Sequence, residues 1–290
     1  MSISLKFIIL LASFLILPAI ALADDRGVIV VGKASDSQRR IALVIGNANY
    51  QSSPLRNPVN DAEDTASALR NLGFQVTLGM DMTRKEMRRV IRAFGESLNQ
   101  GGVGLFYYAG HGMQVGGTNY LIPIGADIGL EDEVQDEAVD AGLVLRKMDS
   151  AGNAMNMVFL DACRDNPFAR SFRSSFKGLA QMDAPSGSLI VYSTAPGSIA
   201  ADGEGRNGVF TKNLLAHLNE SGVELSQMMK SVRSNVRKET NGKQVPWESS
   251  SLEGNFYFSP SSSDLILSTG SMVNERIKLE QERLKLEEKR

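Results

Sequence analysis

The sequence predicts an α/β fold built on a mostly parallel, six-stranded sheet with helices on both faces. Three observations carry this. Short, nearly all-apolar runs recur along the chain, among them RIALVIGN (40–47), VGLFYYAG (103–110) and AMNMVFLDAC (154–163). They lack the in-and-out alternation of a strand with one wet face, so they read as strands buried on both sides. Segments with helical period and helix-start signals separate them, as parallel neighbours require.

The elements follow in order. Residues 1–23 are expected to lie outside the fold. Lys6 precedes the apolar stretch FIILLASFLILPAIA, and Ala21 and Ala23 are the small residues of a cleavage site. This is the layout of a secretory signal peptide cut after Ala23, which implies a secreted or periplasmic protein. Membrane contact is expected only through that segment. Residues 24–38 read as a linker and 39–260 as one domain. Within it, 40–47 is a first strand. A helix over 60–73 can be capped by Asn60, with Glu63 three residues on. FQVTL (74–78) is a second strand. A helix over 83–98 has a Thr83–Glu86 capping box and an apolar stripe of Met87, Val90, Ile91, Phe94 and Leu98. Residues 103–110 form the third strand, 127–140 an acidic surface loop, 141–152 a helix and 154–163 the fourth strand. A long loop spans 164–187, and SLIVYSTAPG (188–197) is the fifth strand. Helices follow near 208–220 and 224–240, and NFYFS (255–259) reads as a last strand. Residues 261–290 are a polar linker and charged helical tail, in which IKLEQER (277–283) is followed by LKLEEKR (284–290). A solvated helix is the plainer reading of the tail, and self-association through it the other.

Apolar residues make up 42% of the chain and charged residues 22%, which suffices for a sizeable core. The net charge of −2 gives no reason to invoke nucleic acid. One cysteine, Cys163, and two histidines cannot make the usual four-ligand zinc set. The sequence requires no cofactor.

In an open parallel sheet, functional groups gather beyond the carboxyl ends of the strands. The first strand here ends at Asn47, the third at His111, the fourth at Asp161 and Cys163, and the fifth at Ser193 and Thr194. The single Cys and one of two His thus fall at equivalent strand ends. A thiol beside an imidazole is what nucleophilic acyl transfer needs, since the ring takes the thiol proton and later protonates the leaving amine. Gly112, with no side chain in the way, could present its N–H to an oxyanion beside that of Cys163. Alone, His111 could be a satisfied histidine at a buried strand end, and Cys163 a small core hydrophobe. His217 lies in a helix on no motif and reads as structural.

The local sequences resemble a known family. YYAGHGMQ (107–114) and DACRDNP (161–167) are similar to the His and Cys segments of caspase-like cysteine peptidases, in particular the metacaspase and bacterial orthocaspase branches. His111 stands 52 residues before Cys163, close to the spacing of that family. YSTAPG (192–197) and ALVIGNANY…LRNPVNDAEDTASALRNLGF (42–74) add two further matches in the same order. The resemblance spans about residues 39–258. It implies the caspase three-layer sandwich and endopeptidase activity on protein or peptide substrates. It also implies His111 as general base and acid, Cys163 as nucleophile, and the backbone amides of Gly112 and Cys163 as oxyanion hole. Caspases carry Gln where this chain has Asp161. Metacaspases bind Arg or Lys with two acidic residues, at positions matching Asp161 and Asp61, so cleavage after Arg or Lys is expected. Asp61 also suits a first helical turn through the helix dipole alone, and Asp161 could simply bond backbone amides.

The segment after Cys163, RDNPF, departs from the usual metacaspase pattern, and Ala200, Ala201 and Asp202 at the pocket rim receive no role. Arg164, Arg170, Arg173 and Lys177 lie where family members are often cut, so self-processing stands beside a basic surface loop as a reading of 164–187. Some metacaspases need calcium, so a hard-cation site on the seven carboxylates from Asp127 to Asp140, and activation by Ca²⁺, are conceivable; their spacing does not match an EF-hand loop, and a solvated acidic loop is the plainer reading. A catalytically silent caspase-fold scaffold, and a thiol hydrolase acting on another amide, are the alternatives to a peptidase.

Overall fold

The computed structural model describes residues 39–162, 178–196, 198, 200, 203 and 205–261. The expected signal peptide and linker, Cys163, the basic segment to Lys177, Ala201, Asp202 and the tail beyond Ser261 lie outside the described residues. In chain order the strands are β1 Arg40–Gly46, β2 Gln75–Met80, β3 Val103–Ala109, β4 Gly112–Val115, β5 Thr118–Leu121, β6 Val139–Asp140, β7 Met155–Asp161, β8 Ser188–Tyr192 and β9 Trp247–Ser250. The helices are α1 Pro58–Asn71, α2 Arg84–Leu98, α3 Val134–Glu137, α4 Gly142–Ser150, α5 Val209–Leu218 and α6 Leu225–Glu239.

The main sheet has six strands in the order β2-β1-β3-β7-β8-β9. The first five run parallel, and β9 lies antiparallel to β8. Strand alternation sends successive side chains to opposite faces. Ala42, Val44, Tyr107, Phe159 and Val191 share one face and pack with Leu69, Phe210 and Val232 of α1, α5 and α6. Leu43, Ile45, Phe106, Tyr108 and Leu160 face the other way, against Met87, Ile91, Phe94 and Met148 of α2 and α4. This is the three-layer arrangement the buried strand runs predict. The Thr83–Glu86 box is also present: the Glu86 carboxylate accepts from the Thr83 N–H at 2.9 Å and its hydroxyl at 2.7 Å.

Several expectations are corrected. The sixth strand is β9, not residues 255–259, which make only isolated bridges at Tyr257 and Ser259. That segment instead buries Phe256 and Phe258 and is clasped by Arg40. The Arg40 guanidinium donates to the carbonyls of Leu72 at 2.8 Å and Phe258 at 2.9 Å, and lies 5.5 Å from the ring centres of Phe74 and Phe256. Burial lowers its pKa to about 10. Helix α1 starts at Pro58 with Asn57 as N-cap, because the fixed φ of proline suits the first helical position. Asn60 therefore caps nothing and donates to the Arg206 carbonyl at 3.2 Å. The acidic stretch is not all loop. It holds a short 3₁₀ turn (Glu131–Glu133), α3 and β6, and β6 closes a small antiparallel sheet, β4-β5-β6.

Candidate active site

The strands that carry the site end level. Ala109 of β3 pairs with Gly46 of β1 on one side and with Asp161 of β7 on the other. His111 and Cys163 each stand two residues past that row. Ser193 continues the register on β8, its N–H donating to the Leu160 carbonyl at 3.0 Å. Asn47, at the end of β1, is spent on structure: its side chain accepts from the Met82 N–H at 2.9 Å and donates to the Ile122 carbonyl at 3.2 Å.

His111 is 3% exposed and is fixed from several sides. Its Nε2 lies 2.7 Å from the Ser53 carbonyl oxygen. A carbonyl only accepts, so Nε2 carries the proton in the neutral ring and Nδ1 keeps the lone pair. Ser53 adopts φ +58, a left-handed conformation unusual for a side-chain-bearing residue. The Tyr50 ring packs against the imidazole at 4.5 Å between centroids, and the Tyr50 hydroxyl accepts from the His111 N–H at 3.0 Å. The Tyr108 hydroxyl donates to the His111 carbonyl at 2.9 Å.

Gly112 opens β4 against the chain that leads to Cys163. A Cβ here would stand 2.9 Å from the Cβ and from the carbonyl oxygen of Ala162, and 3.2 Å from Leu179. Just beyond Leu179, Ala180 exchanges two hydrogen bonds of 2.7 Å with the Asn119 side chain on β5. The Met182 N–H donates to the Tyr192 hydroxyl at 2.8 Å.

Both acids are buried, Asp61 at 0% and Asp161 at 2% exposure. Asp161 extends the column Met155, Met157, Phe159 on the α1/α5 face of the sheet, so the apolar row ends in a carboxylate. Asp61 reaches the same face from the first turns of α1. It accepts from the Gly208 N–H at 2.9 Å, and Asp161 accepts from the Thr211 hydroxyl at 2.9 Å. The Tyr107 hydroxyl, 2.5 Å from Thr211 Oγ1, lies among them. Burial holds its pKa well above the usual tyrosine value. The charges of Asp61 and Asp161 add to this, and the Thr211 hydrogen bond opposes it. The two carboxylates thus converge on one hydroxyl.

Residues 39–257 match the caspase domain family, Peptidase_C14. The chain belongs to that family. It is 29% identical over 212 residues to the human mucosa-associated lymphoid tissue lymphoma translocation protein 1, covering 71% of this chain and 25% of that protein. Identity to the mouse homolog is 29% over 185 residues, covering 62% and 22%. The chain therefore spans about a quarter of the length of these curated relatives. The structure of caspase-1 from Spodoptera frugiperda superposes with a TM-score of 0.61 at 16% identity, over 83% of this chain and 98% of that one. That likeness is one of fold. A caspase domain is a cysteine-peptidase scaffold, which agrees with the resemblance of the His and Cys segments.

Of the residues singled out in the sequence, this caspase domain brings Asp61 and Asp161 to one face of the sheet edge and sets His111 and Gly112 beside the chain entering Cys163. Sequence reasoning missed the Ser53 carbonyl, Tyr50, Thr211 and Gly208. Backbone groups leave no residue-type signal, and Thr211 hides among the apolar positions of GVFTKNLL. His217 is structural: its Nδ1 is 2.8 Å from Glu220 Oε1 and its Nε2 is 2.9 Å from Asn235 Nδ2 on α6. Among the described residues no group of three or more His, Cys, Asp or Glu side chains is placed to hold a metal ion. No described helix is long and apolar enough to cross a membrane.

Proposed function

We propose that this caspase domain is an exported cysteine endopeptidase that cleaves peptide bonds after Arg or Lys. The observation that carries the specificity is the convergence of Asp61 and Asp161, both buried, on one side of the site. Two carboxylates taken out of water are poorly solvated and repel each other. A cation is the partner that offsets both costs, and a guanidinium, with its planar fork of donors, does so best. An acidic side chain would be repelled.

In the reaction, the Cys163 thiol proton passes to His111 Nδ1 and the thiolate adds to the scissile carbonyl carbon. The N–H groups of Gly112 and Cys163 receive the oxyanion. The imidazolium then protonates the leaving amine as the C–N bond breaks, giving a thioester. Water, deprotonated by Nδ1, hydrolyses the thioester and restores the thiol. Ser53 keeps the ring in the tautomer that this sequence needs. The Lys6–Ala23 layout supports export.

Fluorogenic peptides with Arg, Lys, Asp or Asn at the cleaved position test this, with and without Ca²⁺, on wild type and Cys163→Ala. Turnover of the Arg and Lys peptides that disappears in Cys163→Ala is expected. Asp161→Asn should lower kcat/KM for the Arg peptide by about a hundredfold while leaving the fold intact, as for loss of a buried charge partner. Wild type that turns over no peptide in a Cys163-dependent way sinks the peptidase reading. Preference for the Asp peptide sinks the specificity.

A further inference from the structure

Two carboxylates read a cation only if their separation is held, and one helical turn holds both. Gly208 is the N-cap of the ten-residue helix α5, and its N–H donates to Asp61 at 2.9 Å. Thr211, in the same turn, donates its hydroxyl to Asp161 Oδ2 at 2.9 Å. A threonine hydroxyl has one proton. With that proton on the carboxylate, the 2.5 Å contact to Tyr107 must be donated by tyrosine. The raised pKa of Tyr107 keeps that proton in place. The order is therefore Tyr107 to Thr211 to Asp161, and it leaves the second oxygen of Asp161 for another donor. The positive end of the α5 dipole faces both acids.

The turn is also tied to the helix that supplies Asp61. Arg206 donates through Nε to Asp64 Oδ2 at 2.8 Å and through Nη2 to Asp64 Oδ1 and Glu63 Oε2, both at 3.0 Å. The Asn207 side chain donates to Asp64 at 2.9 Å. Glu63 and Asp64 follow Asp61 by two and three residues on α1, so the acid and its clamp move together.

Resting on the Arg/Lys reading of the pocket, we propose that Thr211 is a positioning residue for substrate selectivity: it orients Asp161 toward the substrate cation while Gly208 fixes Asp61, so the first turn of α5 sets the acid-to-acid geometry. Thr211→Val keeps the shape and removes the donor, and Thr211→Ser keeps the donor. Two quantities are read for each. One is KM and kcat on the Arg peptide. The other is the rate at which iodoacetamide alkylates Cys163, the single thiol of the chain, which needs the dyad but no substrate side chain.

Thr211→Val should raise KM for the Arg peptide by about tenfold, the loss of one hydrogen bond to a charged group. Its kcat and alkylation rate should stay close to wild type, and Thr211→Ser should restore KM. If Thr211→Val does not fold, Arg206→Ala carries the test, because its exposed pairs contribute little to stability. A KM rise of about two- to fivefold is then expected. A folded Thr211→Val, or in its place a folded Arg206→Ala, without the KM rise overturns the proposal, as does a failure of Thr211→Ser to reverse the rise seen in Thr211→Val. These outcomes, with an active wild type, leave the peptidase reading standing. A wild type with no Cys163-dependent turnover overturns both.

Discussion

At the scale of single residues, the site depends on two backbone positions more than on side chains. Gly112 lets the start of β4 touch the chain entering Cys163, with Ala162 where a Cβ would stand at 2.9 Å. Gly112→Ala should fold, because the β4-β5 hairpin pairs from the other end. It should still push the two backbones apart, and a small misplacement of reacting groups costs much rate. A fall in kcat/KM of about tenfold or more is expected in protein that stays folded at the assay temperature, with some drop in the unfolding midpoint from the displaced backbone. Unchanged kinetics would mean that the approach is incidental. Ser53 acts through its carbonyl alone, from a φ of +58, and nothing in QSSPL announces it. His111 was legible because it stands at a strand end in a glycine-flanked motif. The tautomer that the proposed base role needs was not, since it is set by a distant backbone oxygen. Asp161 stood out in the sequence as a carboxylate at the end of an apolar column, but its hydrogen bond from Thr211 could not be read there.

At the scale of elements, the strands and helices that face the core were readable from period and capping, and those that do not were missed. The β4-β5 hairpin lies in VGGT, where Gly116 and Gly117 take φ of +57 and +82, as a two-residue hairpin turn requires. That Gly-Gly pair was the available signal. β9, WESS, has no apolar pattern because it is an exposed edge, whereas NFYFS alternates like a strand yet only tucks two phenylalanines under the sheet. The α1–α5 tie has a pH signature. The Asp64 pKa is lowered, first by the hydrogen bond from Arg206, then by Asn207 and the Arg206 charge, with burial opposing. A carboxylate depressed in the folded state contributes stability that is complete above its ordinary value and lost as pH falls through the lowered one. Glu239, held by Lys212 and Asn213 across α5 and α6, shifts the same way. The urea midpoint should therefore fall as pH drops below the ordinary carboxylate range, about 4. Arg206→Ala should make that fall shallower, and an identical pH profile in the variant would remove the tie from the account.

At the scale of the whole molecule, the first strand and the last described segment are joined by one buried cation. Arg40→Met keeps much of the volume but leaves the carbonyls of Leu72 and Phe258 without their donor. Such a loss costs about 2–4 kcal/mol. A lower thermal midpoint and earlier proteolysis near residues 254–258 are expected, and a midpoint equal to wild type would show that the clasp is dispensable. The family assignment was legible early because the chemistry of the family lies in short strand-end segments, while the order of the sheet could not be read, since register is a property of pairs. Ala162 follows β7 at the centre of the sheet, while Leu179 lies beside Gly112 and Ala180 is hydrogen-bonded to Asn119 on the neighbouring hairpin. The described residues on both sides of the basic segment are thus held by sheet and hairpin contacts. Cutting the chain there would give two polypeptides but still one body, with β7 and β8 side by side as before.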